Sequence, residues 1–191
     1  MTVWLTEESE LIAAAARGEI AAQRTLFRRE YPRVSATVAR IVGNDRDIDD
    51  LVQETFISVF DALPRFRREA KLSTWIEKIA INVVLQHLRR NRQSPVPLTG
   101  DPGSPSAHRM VESADAREGL RRLYAELADM TPGSRLAFAL YAIDGRSINE
   151  VAALTQSSQI AAKVRIWRAR REVERRADQD PVLAELVRRR A

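Results

Sequence analysis

The chain contains no cysteine, and only two of its 191 residues are histidine, His87 and His108. That excludes a disulfide framework and a thiolate metal site and leaves too few imidazoles for a histidine cluster, so no metal and no cofactor is expected. Strand signals are scarce as well: no run of alternating β-branched residues bounded by turn pairs occurs, which predicts an all-α fold. No apolar run approaches the roughly 20 residues a membrane span needs, and the N-terminal segment lacks a basic stretch ahead of an apolar core. A soluble, cytoplasmic protein without membrane insertion is expected. Neither a phosphate-cradling Gly-rich loop nor a nucleophile with its base is found, so an enzyme is not expected.

What is present is charge, unevenly spread. The net value of +5 comes from 31 Lys and Arg against 26 Asp and Glu. Residues 157–191 hold ten basic and five acidic side chains, so everything before them sums to zero. The excess concentrates in residues 163–176, a basic helix of the kind that meets phosphate backbones. A second basic stretch, residues 65–92, has eight Lys and Arg against two acids. Charge runs are usually solvated faces, but two basic surfaces in one small protein point to an extended nucleic-acid partner.

The spacing predicts a first helix over residues 8–17, ended by Gly18, and a second over 19–41 that Pro32 should kink or interrupt. From Ile48 the positions Ile48, Leu51, Val52, Thr55, Phe56, Val59, Phe60 and Leu63 keep helical spacing and form one buried stripe. Asp50, Gln53, Glu54 and Asp61 lie opposite, either as an ordinary solvated face or as an acidic surface for a basic partner. Pro64 ends this helix and residues 65–72 form a basic loop. Thr74 with Glu77 is a candidate capping box for the next helix. There Ile76, Ile79, Ala80 and Val83 face inward, while Lys78, Asn82, Gln86 and Arg89 share a second face that is either polar exterior or a surface for bases. His87 is expected at the surface.

Residues 94–107 contain four prolines, two glycines and three serines, a composition that reads as a flexible linker between two domains. The second domain starts near residue 111 with a helix to about 127. A helix opened by Thr131-Pro132-Gly133 follows and ends at Asp144-Gly145. A short helix over 147–154, a turn over 155–158 and a basic helix to about 176 are the parts of a helix-turn-helix. Ala162, Ile166, Ala169 and Val173 face inward in that last helix, leaving Lys163, Trp167, Arg168, Arg170 and Arg171 outside or at the margins. Residues 178–191, after a break at Pro181, read as a short amphipathic helix that is either an extra contact or a frayed end.

These residues together resemble the bacterial RNA polymerase sigma factors of the extracytoplasmic-function type in the sigma-70 family. The family's acidic residues followed by Leu-Val-Gln-Glu-Thr-Phe match Asp49-Asp50-Leu51-Val52-Gln53-Glu54-Thr55-Phe56. Further region-two positions match Phe66, Ser73-Thr74-Trp75-Ile76, Ile79-Ala80, Asn82 and Arg89-Arg90. Region four is matched by Gly145, Ser147, Glu150-Val151-Ala152, Lys163, Arg165 and Arg168-Ala169-Arg170. Gln156 stands where the family commonly has glycine at the turn, and Ile160-Ala161-Ala162 where it commonly has Gly-Thr-Val. Loss of the glycine is expected to shift the turn or strain it by about 1 kcal/mol.

The resemblance implies an all-α fold of two small helical domains: region two over residues 1–93, a linker over 94–110, region four over 111–177, and a tail over 178–191. It implies docking on the β′ clamp helices of core RNA polymerase through Asp49, Asp50, Leu51, Val52, Gln53 and Glu54, with a further contact to the β flap. It implies capture and melting of the −10 element by Arg65, Phe66, Arg67, Arg68, Lys71, Trp75, Lys78, Asn82, Gln86 and Arg89. For Trp75 a core role competes, because a large aromatic in a first turn often packs inward. The −35 element falls to Ser158, Gln159, Lys163, Arg165 and Arg168. An anti-sigma partner belongs to the same expectation. Two rivals are an autonomous dimeric helix-turn-helix regulator and a polymerase-binding protein with degenerate promoter reading.

Overall fold

Helical periodicity carries through almost every segment of the structure, a computed structural model that describes residues 3–43, 47–93 and 114–190. The expected linker, 94–110, lies outside the described residues. The N-terminal group comprises α1 (Val3–Ala16), α2 (Ile20–Val42), α3 (Ile48–Ala62) with a 3₁₀ turn at Leu63–Arg65, and α4 (Leu72–Gln93). The C-terminal group comprises α5 (Ala114–Ala128), α6 (Pro132–Phe138) running into a π turn at Ala139–Ile143, α7 (Ile148–Leu154), α8 (Gln159–Ala177) and α9 (Pro181–Arg190). No strand forms among the described residues.

The N-terminal group packs α2, α3 and α4 on one another, with α1 laid across α2. The predicted α3 stripe is the centre of this core: Ile48, Leu51, Val52, Phe56, Val59 and Leu63 are all buried. Burial of each such side chain contributes about 1.5–3 kcal/mol. Helix α2 runs unbroken through Pro32, contrary to the interruption expected there. Both halves of it are anchored, by Leu26 on one side of the proline and Val34 and Val38 on the other. Pro32 and Arg28, whose carbonyl loses its donor, are exposed, so water can take the freed bond.

Two local expectations fail. Helix α4 begins before Thr74, whose N–H already bonds to the Lys71 carbonyl. Glu77 is therefore not a capping partner; it is buried and bound to arginines from elsewhere. His87 is buried rather than at the surface, with Nε2 3.0 Å from the Asn91 amide and 3.6 Å from an Asp47 oxygen.

In the C-terminal group α8 packs on α6 and α7, and α9 closes over α5 and α8. The tail is thus a docked helix rather than a frayed end: Leu183 is buried, and Arg122 of α5 donates to both Glu118 and Asp180. Asp180 is held below its ordinary pKa first by that guanidinium.

One core spans the two groups, with Leu136, Leu140 and Ile166 joining the residues of α2 and α4, and a second cluster around Leu127, Phe138, Val173 and Leu183 lies within the C-terminal group. Polar contacts cross the same seam. Glu77 of α4 accepts from Arg33 at 3.4 Å and from Arg146 at 2.5 Å, Arg146 donates to Asp144 at 2.7 Å, and Arg40 of α2 reaches Asp144 at 2.5 Å. The chain Arg33, Glu77, Arg146, Asp144, Arg40 therefore alternates in sign across both groups. The last carbonyls of α2, which no helical N–H can satisfy, are also capped from the other side: Tyr124 Oη donates to Arg40 and Arg135 to Val42, at 2.7 and 3.0 Å.

Gly43 ends α2 at φ 79°, and a Cβ built there would lie 2.5 Å from the Tyr124 ring. Gly18 has φ 86° but open space around it. Gly43→Ala is expected to lose about 2–4 kcal/mol in urea unfolding, combining backbone strain with overpacking. Gly18→Ala should lose only about 1 kcal/mol, from the backbone alone.

Candidate polymerase and promoter interface

Helix α3 presents Asp49, Asp50 and Gln53 to solvent, with Glu54 half-buried and 3.3 Å from Arg90 of α4. Leu51 and Val52, expected among the docking contacts, lie in the core at 2% exposure and hold the helix from beneath instead. Sequence reading missed Ile57. It is 55% exposed and sits between Asp50, Glu54 and Asp61 on the outward face, where a rotation of about 100° per residue places it. An aliphatic side chain at an outward register was the available signal.

The second surface joins the loop after the 3₁₀ turn to α4. Phe66 and Trp75 stack with ring centroids 4.9 Å apart, tilted by 39°, and both pack against the core while remaining partly open. Trp75 thus packs on the core, as the packing alternative expected, and its ring keeps an open edge as well. Arg65, Arg67 and Lys71 are exposed around this pair. Arg68, at φ 58°, turns back to donate to Ser9 of α1, which fixes the loop. From Trp75 the stripe continues along one face of α4 through Lys78 and Asn82, half-buried, to Gln86 and Arg89, exposed.

The third surface is the helix-turn-helix. Ser147 and Glu150 form a reciprocal capping box at the start of α7, and the Ser147 hydroxyl is the first cause of the lowered pKa of Glu150. Ser158 caps α8 by accepting from Ala161 N–H at 3.1 Å, so its oxygen already has a structural task. Gln156 takes φ 50° itself, so the turn keeps its left-handed residue without glycine. The inward set Ala162, Ile166, Ala169 and Val173 is buried as expected. Gln159, Lys163 and Arg168 are exposed, whereas Arg165 is half-buried and turned toward Gly133 of α6. The sequence reading did not single out Ile160 and Val164 as exposed, although they stand 78% and 39% open, near Trp167 at 56%. The Arg171 guanidinium lies over the Trp167 ring, 5.4 Å from its centroid.

Among the described residues no group of three His, Cys, Asp or Glu is placed to hold a metal ion, and no helix is long and apolar enough to cross a membrane. An acidic face on α3, an aromatic pair among exposed cations and a basic helix-turn-helix thus stand on one helical frame.

Known proteins fix the family. The Sigma-70 region 2 model matches residues 26–94. The ECF RNA polymerase sigma-E factor of Salmonella typhimurium is 29% identical over 184 residues, spanning 91% of this chain and 95% of its own. The RNA polymerase sigma factor CarQ of Myxococcus xanthus is 32% identical over 144 residues, 75% of this chain and 82% of that one. Among solved structures, CnrH in complex with the cytosolic domain of CnrY superposes with a TM-score of 0.59 at 30% identity, covering 89% of this chain and 96% of that one. The fold is shared as well with the sigma factor RpoE of Bartonella quintana, solved with the anti-sigma factor NepR, at a TM-score of 0.57 and 20% identity over 86% and 96% of the two chains. The chain belongs to the sigma-70 family of RNA polymerase sigma factors, in its extracytoplasmic-function group. Its function lies in RNA polymerase-associated transcription initiation.

Because Gln156 pays for its left-handed conformation, Gln156→Gly is expected to raise stability by about 0.5 kcal/mol. An unchanged or lowered urea midpoint would count against strain at this turn.

Proposed function

We propose that this chain is an alternative sigma factor that docks on core polymerase through the outward face of α3 and directs it to promoters with two separate DNA-reading surfaces. The observation that carries this reading is the segregation of charge among the described residues: an exposed acidic face on α3 adjoins an aromatic pair with exposed cations around it, and the most basic helix stands in a helix-turn-helix. Asp50, Gln53 and Glu54 with Ile57 at their centre suit a basic protein surface and repel phosphates. Residues 1–93 act as the unit for polymerase and the −10 element, residues 94–110 as the tether, residues 111–177 as the unit for the −35 element, and 178–191 as its packed extension.

At the −10 element, an unstacked base needs an aromatic face, polar groups for its edges and cations for its backbone. Phe66 and Trp75 supply the first, Asn82 and Gln86 the second, and Arg65, Arg67, Lys71, Lys78 and Arg89 the third. The chain works in the cytoplasm, where polymerase carries out the chemistry and this protein confers specificity. An anti-sigma protein that holds it inactive belongs to the same proposal, and it is supported by the complex in which the Bartonella factor was solved with the anti-sigma factor NepR.

Asp50→Lys combined with Glu54→Lys is expected to weaken binding to purified core polymerase by at least ten-fold, with the urea midpoint lowered only slightly, because Asp50 is exposed and the Glu54–Arg90 pair is a partly exposed one worth at most about 1 kcal/mol. Retained affinity would place docking elsewhere. Asn82→Ala is expected to lower open-complex formation, read by permanganate reactivity of unpaired thymines, several-fold more than initial promoter binding. Equal losses in both steps would assign Asn82 to duplex binding. A dimer of the free chain bound to two half-sites would instead favour an autonomous regulator.

A further inference from the structure

Helix α8 carries seven Lys and Arg against two Glu, yet its most outward line is not charged. Ile160, Val164 and Trp167 follow one another at i, i+4 and i+7 and are 78%, 39% and 56% exposed. At about 100° per residue they lie within roughly 50° of the direction opposite to Ala162, Ile166, Ala169 and Val173. That is the face a second helix of a helix-turn-helix turns into the major groove. Lys163 flanks the strip on one side and Arg168 on the other, both exposed. An apolar strip left open on a surface marks a contact site, and the cations along both margins select the partner. They repel a second copy of this chain and a basic protein, and they attract a duplex.

We propose that Ile160 and Val164 determine part of this protein's upstream promoter preference by packing against thymine methyl groups. This rests on reading α8 as the −35 helix. In the major groove, only the C5-methyl of thymine offers an apolar feature among the four base edges. Ile160 is the second residue of α8 and Val164 lies one turn on, within the N-terminal part that reaches base edges. Four residues advance the helix by about 6 Å, close to two base-pair steps of 3.4 Å. The upstream element is therefore expected to contain two thymines about two base pairs apart, on either strand. Trp167 stands farther along and is too large for a single methyl. With Arg171 held on its ring face, it orients that guanidinium toward the phosphates at the groove's margin.

The test uses the full chain assembled with core polymerase. A promoter pool randomised upstream is selected for binding, and each thymine in the winning element is then replaced by deoxyuridine, which removes only the methyl. The expected result is a loss of roughly four-fold at one or two positions, the value of one buried methyl group. Ile160→Ala or Val164→Ala should abolish the difference between thymine and deoxyuridine at its own position, while folding and polymerase affinity stay unchanged. A selected element without thymine, or one indifferent to deoxyuridine, overturns the methyl contact and leaves α8 as the −35 helix. Absence of any upstream preference overturns both. A drop in polymerase affinity in either variant assigns the strip to a protein contact and also overturns the proposal.

Discussion

A carboxylate buried at the seam between the two helical groups governs how they sit. Glu77 is 6% exposed, a burial that a carboxylate tolerates when cations lie close, and it takes one from each group, Arg33 and Arg146. Arg146 in turn leans on Asp144, the first cause of its raised pKa, and Asp144 is held by Arg40. Such a chain fixes geometry more than it adds stability, since the desolvation of each charge offsets much of the attraction. The remaining seam contacts obey the same logic. The C-terminal carbonyls of α2 have no partner within their own helix, and Tyr124 and Arg135 provide one.

That seam was the least legible part of the sequence. A period of 3.6 residues shows which face of a helix is buried, so the stripes of α3 and α8 were readable residue by residue. It says nothing of what covers the face. Glu77 stood in a capping-box spacing and was read locally, when its partners lie 44 and 69 positions away. His87 fell beside the polar stripe of α4 and looked like exterior. Pro32 was read as a break because a local rule says so, whereas anchoring on both sides of the ring outweighs one missing bond. The left-handed turn at Gln156 was legible only through the resemblance, which places a glycine there, since nothing in the residue's own chemistry favours that conformation.

The candidate sites were more legible than the seam because their chemistry is carried by residue type. Acids on α3, aromatics and cations around α4 and arginines along α8 could be grouped before any coordinates. What composition hid was the apolar component of each surface. Ile57 on α3 and Ile160 and Val164 on α8 look like core residues in a list of hydrophobic positions, and only their angular register sets them outside. Both polar surfaces thus have a water-excluding centre with charge at the rim, the arrangement found in interfaces where specificity comes from shape and steering comes from charge.

The buried side of α8 is built largely from alanine, at 162, 169 and 177, with Ile166 and Val173 between them. Small side chains let the helix lie close to its neighbours on that side. Exchanges on the outer side then leave folding nearly untouched, and on the proposed reading of α8 a lineage can retune which promoters it answers to by drift at a handful of solvent-facing codons.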